Sequence, residues 1–304
     1  NLLITGSTGF IGRNLVEIFQ KFNTYNLFSP TEYELDLVDS KKVKKFLDST
    51  KIDIIIHSAT VTQINKAYPD TVCEENLRMF FNLYTYKKQG ARLINLGSGS
   101  EYSRENWIPQ MKEDYFEGNI PDDGHSLSKY VISKFILASN DNNLIGLRVF
   151  GIFGKYEDYK YKFISNCIVK NLLGLPIIIN QNVIYDYLYI NDLGKILNQI
   201  IPNNFSEKIL NITPTHAFNL IEINDEVQRI LKIERKCDVL KPGYGKEYTG
   251  NNELLMMHLN NFEFTDLTSS LKELIEYYQN MLHTITKDEM LNDRFLEYAK
   301  KINP

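Results

Sequence analysis

Three glycines at fixed spacing directly follow a short apolar run at the start of the chain. The run covers residues 1–5, and the glycines are Gly6, Gly9 and Gly12. An apolar strand, a glycine-rich turn and the start of an amphipathic helix together form the first unit of a dinucleotide-binding fold. One glycine makes the tight turn, one lets the backbone approach a pyrophosphate, and one lets helix and strand pack closely. Since the helix N-terminus then faces the charge of the ligand, we predict a nicotinamide dinucleotide site here.

Apolar runs alternate with helical patterns through the first half of the chain. The predicted strands are residues 1–5, 25–28, 53–57, 93–96 and 144–148. The predicted helices are residues 11–22, 41–47 and 71–88. Continuous apolar strands separated by helices indicate a parallel sheet covered on both faces. We therefore predict an α/β fold, a Rossmann-type doubly wound parallel sheet with a smaller C-terminal α/β substrate-binding region.

The second half of the chain is less regular. Its predicted helices are residues 163–173, 220–231, 267–283 and 288–301, its predicted strands are 177–179 and 184–190, and 241–250 is a predicted loop. We expect residues 1–154 to form the dinucleotide-binding domain, with residues 183–212 returning to it. Residues 155–182 and 213–304 form the expected substrate-binding region.

Composition excludes some classes of partner. The 304 residues are 43% hydrophobic and 24% charged, with a net charge of −4, so neither nucleic acid nor a membrane is expected as a partner. No apolar run is long enough to span a bilayer. Cys73, Cys167 and Cys237 are widely separated and form no C-x-x-C pattern. We therefore expect no disulfide framework, no metal site, and a reducing, cytoplasmic compartment.

Further motifs extend the pattern beyond the glycine turn. They lie at residues 34–39, 56–59, 96–102 and 186–192. Together with Gly6-x-x-Gly9-x-x-Gly12 they resemble the extended short-chain dehydrogenase/reductase superfamily over nearly the whole chain, although the last third matches only in layout. Within the superfamily, the chain looks most like nucleotide-sugar 4-keto reductases of the GDP-fucose synthase type.

This resemblance implies an activity and an assembly. The implied activity is NAD(P)-dependent oxidation or reduction at C4 of a nucleotide-diphosphate sugar, with a GDP-4-keto-6-deoxy sugar favoured. Synthesis of sugars for a surface or capsular polysaccharide is the implied setting. The implied assembly is a homodimer, formed by the helices around residues 71–88 and 126–137.

The superfamily's catalytic groups are a Ser or Thr, a Tyr and a Lys, with Tyr-x-x-x-Lys on one helix face. The resemblance assigns the first of these roles to Ser98 and the Lys role to Lys129, which also orients the ribose. The Tyr position is occupied by His125. This His is a working general acid, a mark of a lineage with altered chemistry, or an engineered substitution. We expect lower activity than with Tyr, because imidazole has a shorter reach.

A second Tyr-x-x-x-Lys pattern exists at Tyr130 and Lys134. Five residues along a helix turn Tyr130 roughly 140° away from His125, so only one of the two registers can face the nicotinamide. We prefer the register of His125 and Lys129, because the residues after His125 match those that follow the catalytic Tyr in the family.

Ser100 occupies the position where the GDP-fucose synthase type has a Cys associated with epimerisation. A hydroxyl does not readily replace a thiol as an acid or base. The resemblance, with this departure, favours simple reduction or oxidation at C4.

Residues beyond the glycines are also expected at the cofactor. No carboxylate follows the second predicted strand before Glu32, while Arg13 directly follows Gly12. Arg13 is a candidate to pair with a 2′-phosphate, assisted by Ser29 and Thr31, so NADP(H) is preferred and NAD(H) is the alternative. The other residues that the resemblance implies at the cofactor are Thr8, Phe10, Ile11, Asp36, Leu37, Ala59 and Lys129.

The resemblance also implies residues on the substrate side. These candidates are Asn76, which braces the active-site helix in relatives, and Asn166, Lys170 and Tyr185. Tyr185 stands where relatives have an Arg before Asp186, and Lys241, Lys246 and Tyr248 are candidates to compensate for the loss.

Two alternative functions stay open. One is a nucleotide-sugar epimerase or dehydratase that recycles bound NAD, although a dehydratase normally needs an Asp-Glu pair where Gly99 and Ser100 stand. The other is a cofactor-binding protein with impaired catalysis, because the Tyr position is His125.

Overall fold

The computed structural model describes residues 1–63, 67–116, 118–204 and 206–302. Residue 205 and residues 303–304, which fall in the predicted segments 183–212 and 213–304, lie outside the described residues. The strands are β1 Leu2–Thr5, β2 Leu27–Phe28, β3 Ile54–His57, β4 Arg92–Ser98, β5 Leu144–Val149, β6 Gly151–Phe153, β7 Ile177–Asn182, β8 Ile184–Tyr185, β9 Tyr187–Tyr189, β10 Ile209–Ile212, β11 Phe218–Asn219 and β12 Cys237–Tyr244. The α-helices are α1 Phe10–Phe22, α2 Ser40–Ser49, α3 Val72–Tyr86, α4 Gly124–Ala138, α5 Phe163–Leu173, α6 Ile190–Ile200, α7 Leu220–Leu231, α8 Glu253–His258, α9 Leu267–Met281, α10 Lys287–Leu291 and α11 Arg294–Ile302. Short 3₁₀ helices cover Gly99–Tyr102, Arg104–Asn106, Glu113–Phe116 and Leu282–Thr284.

A six-stranded sheet forms the centre of the first region, in the order β10-β5-β4-β3-β1-β2. Its strands pair in parallel throughout. The chain moves from β1 outward to β2 and then returns to the other side of β1 with β3, which makes a topological switch point. The predicted doubly wound α/β fold is therefore confirmed, and its ligand crevice is expected at the carboxyl ends of β1 and β3.

Successive residues of each central strand point to opposite faces of this sheet. Leu2 and Ile4 belong to one buried cluster with α1 and α6, whereas Leu3 belongs to a second cluster with α2, α3 and α4. Helices thus cover both faces, which explains why most positions of the central strands are apolar. The carboxyl ends of the strands are the one edge where polar side chains can gather.

The substrate-side region consists of small two-stranded pairs and surrounding helices. β7 pairs with β12 and β6 with β9 in parallel, while β8 and β11 are antiparallel. The apolar cluster beneath α1 continues into α5, α7 and α9. The last helix, α11, packs on β7, where the Asn180 amide donates to the Ala299 carbonyl at 3.4 Å. The division into two domains stays a prediction.

The sequence expectations differ from the structure at several elements. The predicted final helix 288–301 is two helices, α10 Lys287–Leu291 and α11 Arg294–Ile302. The predicted strand 184–190 is two strands, because the buried Asp186 carboxylate accepts hydrogen bonds from the Thr213 hydroxyl and the Gly250 amide and breaks the run. Residues 241–244 belong to β12 and not to a loop, since they pair with β7. α6 and β10 were not expected, although both complete the first region.

Two expectations about the whole chain can be compared with the structure. Within the described ranges, the longest apolar helices are too short to cross a bilayer. Cys73, Cys167 and Cys237 are all free thiols in the described residues.

Candidate active site

The glycine turn forms a cradle whose space side chains at Gly6 or Gly12 would fill. Gly6 has a φ of +69°, and a Cβ there would lie 2.8 Å from the Ala59 Cα. A Cβ on Gly12 would lie 2.1 Å from the Gly6 carbonyl oxygen. Gly9 precedes α1 without offering a side-chain cap, so the first amides of the helix keep their capacity to bind an anion. These residues therefore fit the pyrophosphate of a dinucleotide.

The remaining cofactor candidates have the following surroundings. The Asp36 carboxylate accepts from the Val38 amide at 3.0 Å, and the Leu37 carbonyl accepts from the Asn82 amide at 2.8 Å. Ala59 follows β3, directly beside Gly6. Thr8 is exposed, and Phe10 and Ile11 are half-buried in the first turn of α1.

Arg13 has a different neighbour from the one expected. Its guanidinium lies over the Tyr156 ring, 3.7 Å from the centroid, in the turn after β6. At the other end, Thr31 donates its amide and its hydroxyl to the Glu34 carboxylate, at 2.8 and 3.0 Å. Ser29 is half-buried after β2. The structure thus brings Arg13 to the substrate side and occupies Thr31 with a carboxylate.

Ser98 ends β4 and caps the following 3₁₀ helix. Its Oγ accepts from the Ser100 amide at 3.1 Å, and its own amide donates to the Glu101 carboxylate at 2.9 Å. Glu101 in turn forms a 2.8 Å ion pair with Arg148, and both side chains are fully buried. A charged pair beneath the strand end therefore fixes the backbone that carries Ser98. The Ser100 hydroxyl has no hydrogen-bond partner among the described residues.

A tyrosine from far along the chain reaches Ser98. The Tyr248 hydroxyl lies beside Gly99, the residue that follows Ser98. A Cβ on Gly99 would lie only 2.4 Å from this hydroxyl, so the glycine is needed for the approach. The Tyr248 ring packs on Trp107, with centroids 4.1 Å apart, and on Phe150 at 5.1 Å. Sequence reasoning named Tyr248 only as a candidate for the substrate, because nothing local links it to Ser98.

Helix α4 carries the two residues of the preferred register. Asp123 caps the helix by accepting from the Ser126 amide at 2.8 Å. The Lys129 ammonium is buried and donates to the Leu96 carbonyl at 3.1 Å. Burial lowers the pKa of Lys129 to about 8, and the Glu101 carboxylate opposes part of that shift. Lys134, by contrast, is exposed, and Tyr130 packs on Phe116 at 4.6 Å. Lys129 is thus the lysine of α4 that lies against the end of β4.

His125 lies one turn before Lys129, in an apolar setting. Its ring stacks on Tyr68, and its Nδ1 has no hydrogen-bond partner within the described ranges. Burial, aided by the charge of Lys129, lowers the pKa of His125 to about 4. The imidazole is therefore neutral at neutral pH and holds no imidazolium proton to give to a substrate.

Asn76 braces α4, and both its side-chain oxygen and its side-chain nitrogen form hydrogen bonds there. Its Oδ1 accepts from the Val61 amide at 2.9 Å and from the Thr60 hydroxyl at 3.2 Å. Its Nδ2 donates to the Ser128 hydroxyl at 3.0 Å. This is the bracing place that the resemblance implies, and it leaves Asn76 as a positioning residue.

Two of the other substrate candidates have partners inside the fold. The buried Lys170 ammonium forms an ion pair with Asp293, just before α11, and its place among the substrate-binding residues stays a prediction. Asn166 donates to the Tyr159 carbonyl at 3.0 Å. Tyr185 lies beside the site, with its ring 6.1 Å from that of Tyr248. The signal that would have revealed the Lys170 pair is an acidic residue more than a hundred positions away, which no local pattern identifies.

The chain can now be compared with known proteins. Residues 2–213 match the model of the NAD dependent epimerase/dehydratase family. The chain belongs to this family. Nothing in the described part of the chain adds a metal centre, since no three His, Cys, Asp or Glu side chains cluster there.

Two similar proteins are named as synthases of GDP-linked sugars. The chain is 23% identical to GDP-L-colitose synthase of Yersinia pseudotuberculosis, over 92% of its own length and 98% of the relative. It is 26% identical to GDP-L-fucose synthase of Azorhizobium caulinodans, over 57% of its own length and 52% of the relative. The crystal structure of GDP-L-fucose synthetase from Naegleria fowleri bound to NADP superposes with a TM-score of 0.79, at 16% identity and 94% coverage of each chain.

Proposed function

We propose that this chain is an NAD(P)-dependent oxidoreductase that reduces C4 of a GDP-4-keto-6-deoxy sugar. The observation that carries the proposal is the approach of Lys129 to the end of β4, where its ammonium donates to the Leu96 carbonyl two residues before Ser98. A buried cation thus lies at the same end of β4 as the Ser98 hydroxyl, which supports a shared role at the cofactor. Similarity to GDP-L-colitose synthase over nearly the full length supports a GDP-linked sugar.

The chain's own residues have distinct tasks in this proposal. When bound, the nicotinamide supplies the hydride that reduces C4. The glycine cradle binds the pyrophosphate through backbone amides. The Lys129 ammonium, mostly charged at neutral pH with its pKa near 8, donates to ribose hydroxyls. Because its Oγ already accepts from the Ser100 amide, the Ser98 hydroxyl keeps its proton to donate to the C4 carbonyl oxygen.

We propose that the configuration at C3 and C5 is kept. Epimerisation beside a ketone needs an acid and a base at those carbons, and a Ser100 hydroxyl is a poor substitute for a thiol in that role. Product analysis by NMR tests this point. We expect a product reduced at C4 alone, and Ser100→Cys is the matched variant that introduces the missing thiol.

NADP(H) is the proposed cofactor, with NAD(H) as the alternative. No carboxylate directly follows β2, and Arg13 is exposed next to Gly12. Leaving the Tyr156 ring costs Arg13 only about 1 kcal/mol, which a 2′-phosphate contact offsets. We expect Arg13→Ala to raise the Kd for NADPH about tenfold without changing that for NADH. Equal effects on both cofactors would remove Arg13 from the 2′-phosphate site.

A second candidate function rests on the neutral His125. Without a proton donor at this position, the chain is a cofactor-binding protein whose catalysis is impaired. The decisive experiment measures NADPH and NADH oxidation with GDP-4-keto-6-deoxymannose, for the wild type and for His125→Tyr. Cofactor binding is followed separately by fluorescence.

Each outcome of this experiment selects one function. We expect slow oxidation by the wild type and faster oxidation by His125→Tyr. Oxidation by the variant alone favours the impaired protein. Binding without oxidation by either excludes this substrate, and sugar conversion without net cofactor oxidation favours the epimerase or dehydratase alternative. The homodimer, the cytoplasmic location and the link to surface polysaccharide stay predictions from the resemblance and the cysteine content.

A further inference from the structure

We propose that the Tyr248 hydroxyl gives the proton to the C4 oxygen, in place of the phenol that is absent at residue 125. This inference rests on the proposed function, since it assigns a role within the same reduction. It identifies a residue on the C-terminal side of the chain as a catalytic residue.

The first argument is distance. The Tyr248 hydroxyl lies against Gly99, the residue after Ser98, since a Cβ on Gly99 would be 2.4 Å from the phenol oxygen. Burial raises the pKa of Tyr248, and the neighbouring Ser98 side chain opposes part of that rise. A carbonyl oxygen that accepts from Ser98 is therefore next to Tyr248, and proton transfer requires such proximity. The open space at Gly99 is what allows this approach, because a Cβ there would clash with the phenol oxygen.

The second argument is that Tyr248 is held in place. Its amide donates to the Ile184 carbonyl at 3.1 Å, which ties its backbone to β8. Its ring is packed by Trp107, Phe150 and Tyr185, at centroid distances of 4.1, 5.1 and 6.1 Å. A group that is fixed before the substrate arrives loses little freedom on reaction, which favours a catalytic role over an incidental contact.

The third argument is that the other candidate donors are committed elsewhere. His125 is neutral and stacked on Tyr68. Tyr102 donates to the Asn211 side chain at 2.8 Å, away from the cofactor cradle. Tyr130 packs on Phe116. Among the described residues, Tyr248 is thus the phenol that lies against Gly99, next to Ser98.

The chemical step balances without a further reactant. As hydride adds to C4, the π pair of the carbonyl moves to its oxygen. That oxygen takes the proton from Tyr248, so the phenol O–H bond breaks and a sugar O–H bond forms. The phenolate is reprotonated from water after the product leaves. Burial raises the pKa of Tyr248, and the carboxyl groups of Asp186 and Glu101 and the phenol of Tyr185 face it from neighbouring elements, so the proton stays on the phenol until the more basic alkoxide forms.

Tyr248→Phe keeps the ring packing and removes only the hydroxyl. We expect kcat for cofactor oxidation to fall about 100-fold, while KM for the GDP-sugar and the Kd for NADPH stay within about threefold. The matched control is Tyr115→Phe, which removes a hydroxyl from a neighbouring ring that donates to the Asn106 carbonyl, and its kcat should equal that of the wild type. The double variant His125→Tyr with Tyr248→Phe should regain activity, because a phenol returns to the site.

A solvent isotope effect separates proton transfer from simple support. For the wild type we expect kcat to be about twofold lower in D₂O. Unchanged kcat in Tyr248→Phe would overturn the proposal and leave Lys129 as the proton donor, and a change in KM alone would make Tyr248 a wall of the substrate site. NADPH binding without oxidation by either the wild type or His125→Tyr would overturn the proposed function itself, and this role with it.

Discussion

The Tyr68 phenol ring lies face to face on the His125 imidazole, with centroids 4.4 Å apart and 4° between the ring planes. The stack covers one face of the imidazole and removes it from water. It follows that the unusual residue of the catalytic helix is packed as an apolar ring and not presented as a charged acid.

Removing the Tyr68 ring should return the pKa of His125 towards its ordinary value. We expect the pKa of His125 to rise from about 4 towards 6.5 in Tyr68→Ala, because burial is the main cause of its depression. The measurement is an NMR titration of the imidazole protons, with the resonance assigned by His125→Gln. Tyr68→Phe is the control, since it keeps the stack and should keep the low value; a pKa near 6.5 in the wild type would contradict this account.

Stability at acidic pH should depend on His57. This residue is buried, its Nδ1 lies 2.8 Å from the Thr5 hydroxyl, and burial together with the charge of Lys129 lowers its pKa to about 3. The unfolded chain takes up the proton below pH 6.5, whereas the folded chain does not until about pH 3. The free energy of unfolding should therefore decrease as pH falls through this window, by about 1.4 kcal/mol per pH unit for this residue.

Chemical denaturation at a series of pH values measures this effect. His57→Asn should flatten the dependence between pH 6 and 4, although it lowers stability at pH 7. The exposed His283 provides the control, since His283→Asn should keep the slope of the wild type. Identical slopes for both variants would show that the proton is taken up elsewhere.

The buried pair of Glu101 and Arg148 should be more costly to break than to replace. Glu101→Gln leaves the guanidinium uncompensated in a fully buried position, so we expect a loss of about 3–5 kcal/mol in the free energy of unfolding. Glu101→Leu combined with Arg148→Met removes both charges and should recover most of the loss. A double-mutant cycle in urea measures the coupling. Additive single effects would rule out a direct pair.

Substitution of Lys170 distinguishes a structural role of this residue from a substrate-binding role. Because its ammonium is paired with Asp293, we expect Lys170→Met to lower the melting temperature and to leave KM for the GDP-sugar unchanged. Asp293→Asn should be at least as destabilising, because it leaves the lysine buried and alone. An increase in KM without a change in melting temperature would return Lys170 to the substrate site.

The parts of the fold that sequence predicts best are those with local signals. The glycine turn, the apolar strands up to β5 and the spacing from His125 to Lys129 each lie within a few residues. β10 has no such signal, because its four residues become a strand only by pairing with β5. No helix is predicted at α6, and its first residue, Ile190, falls in the predicted strand 184–190 because it continues the apolar run of β9.

In the candidate site, too, the residues with local sequence signals are predicted and those placed by long-range packing are not. Ser98 and Lys129 follow from motifs, but their neighbours do not. Tyr248 reaches Ser98 only because β8 and β12 bring the late chain back to the end of β4. The partner of Lys170 is likewise set by packing of the last helices, which composition and spacing leave undetermined.

The packing of α11 on β7 also fixes the order in which the protein can be completed during translation. The strands up to β5 leave the ribosome early and can pair as they emerge. Lys170 is already synthesised at that stage, yet the carboxylate that neutralises it is made only near residue 293. The packing around α5 and β7 is therefore incomplete until the segment that carries Asp293 has been made.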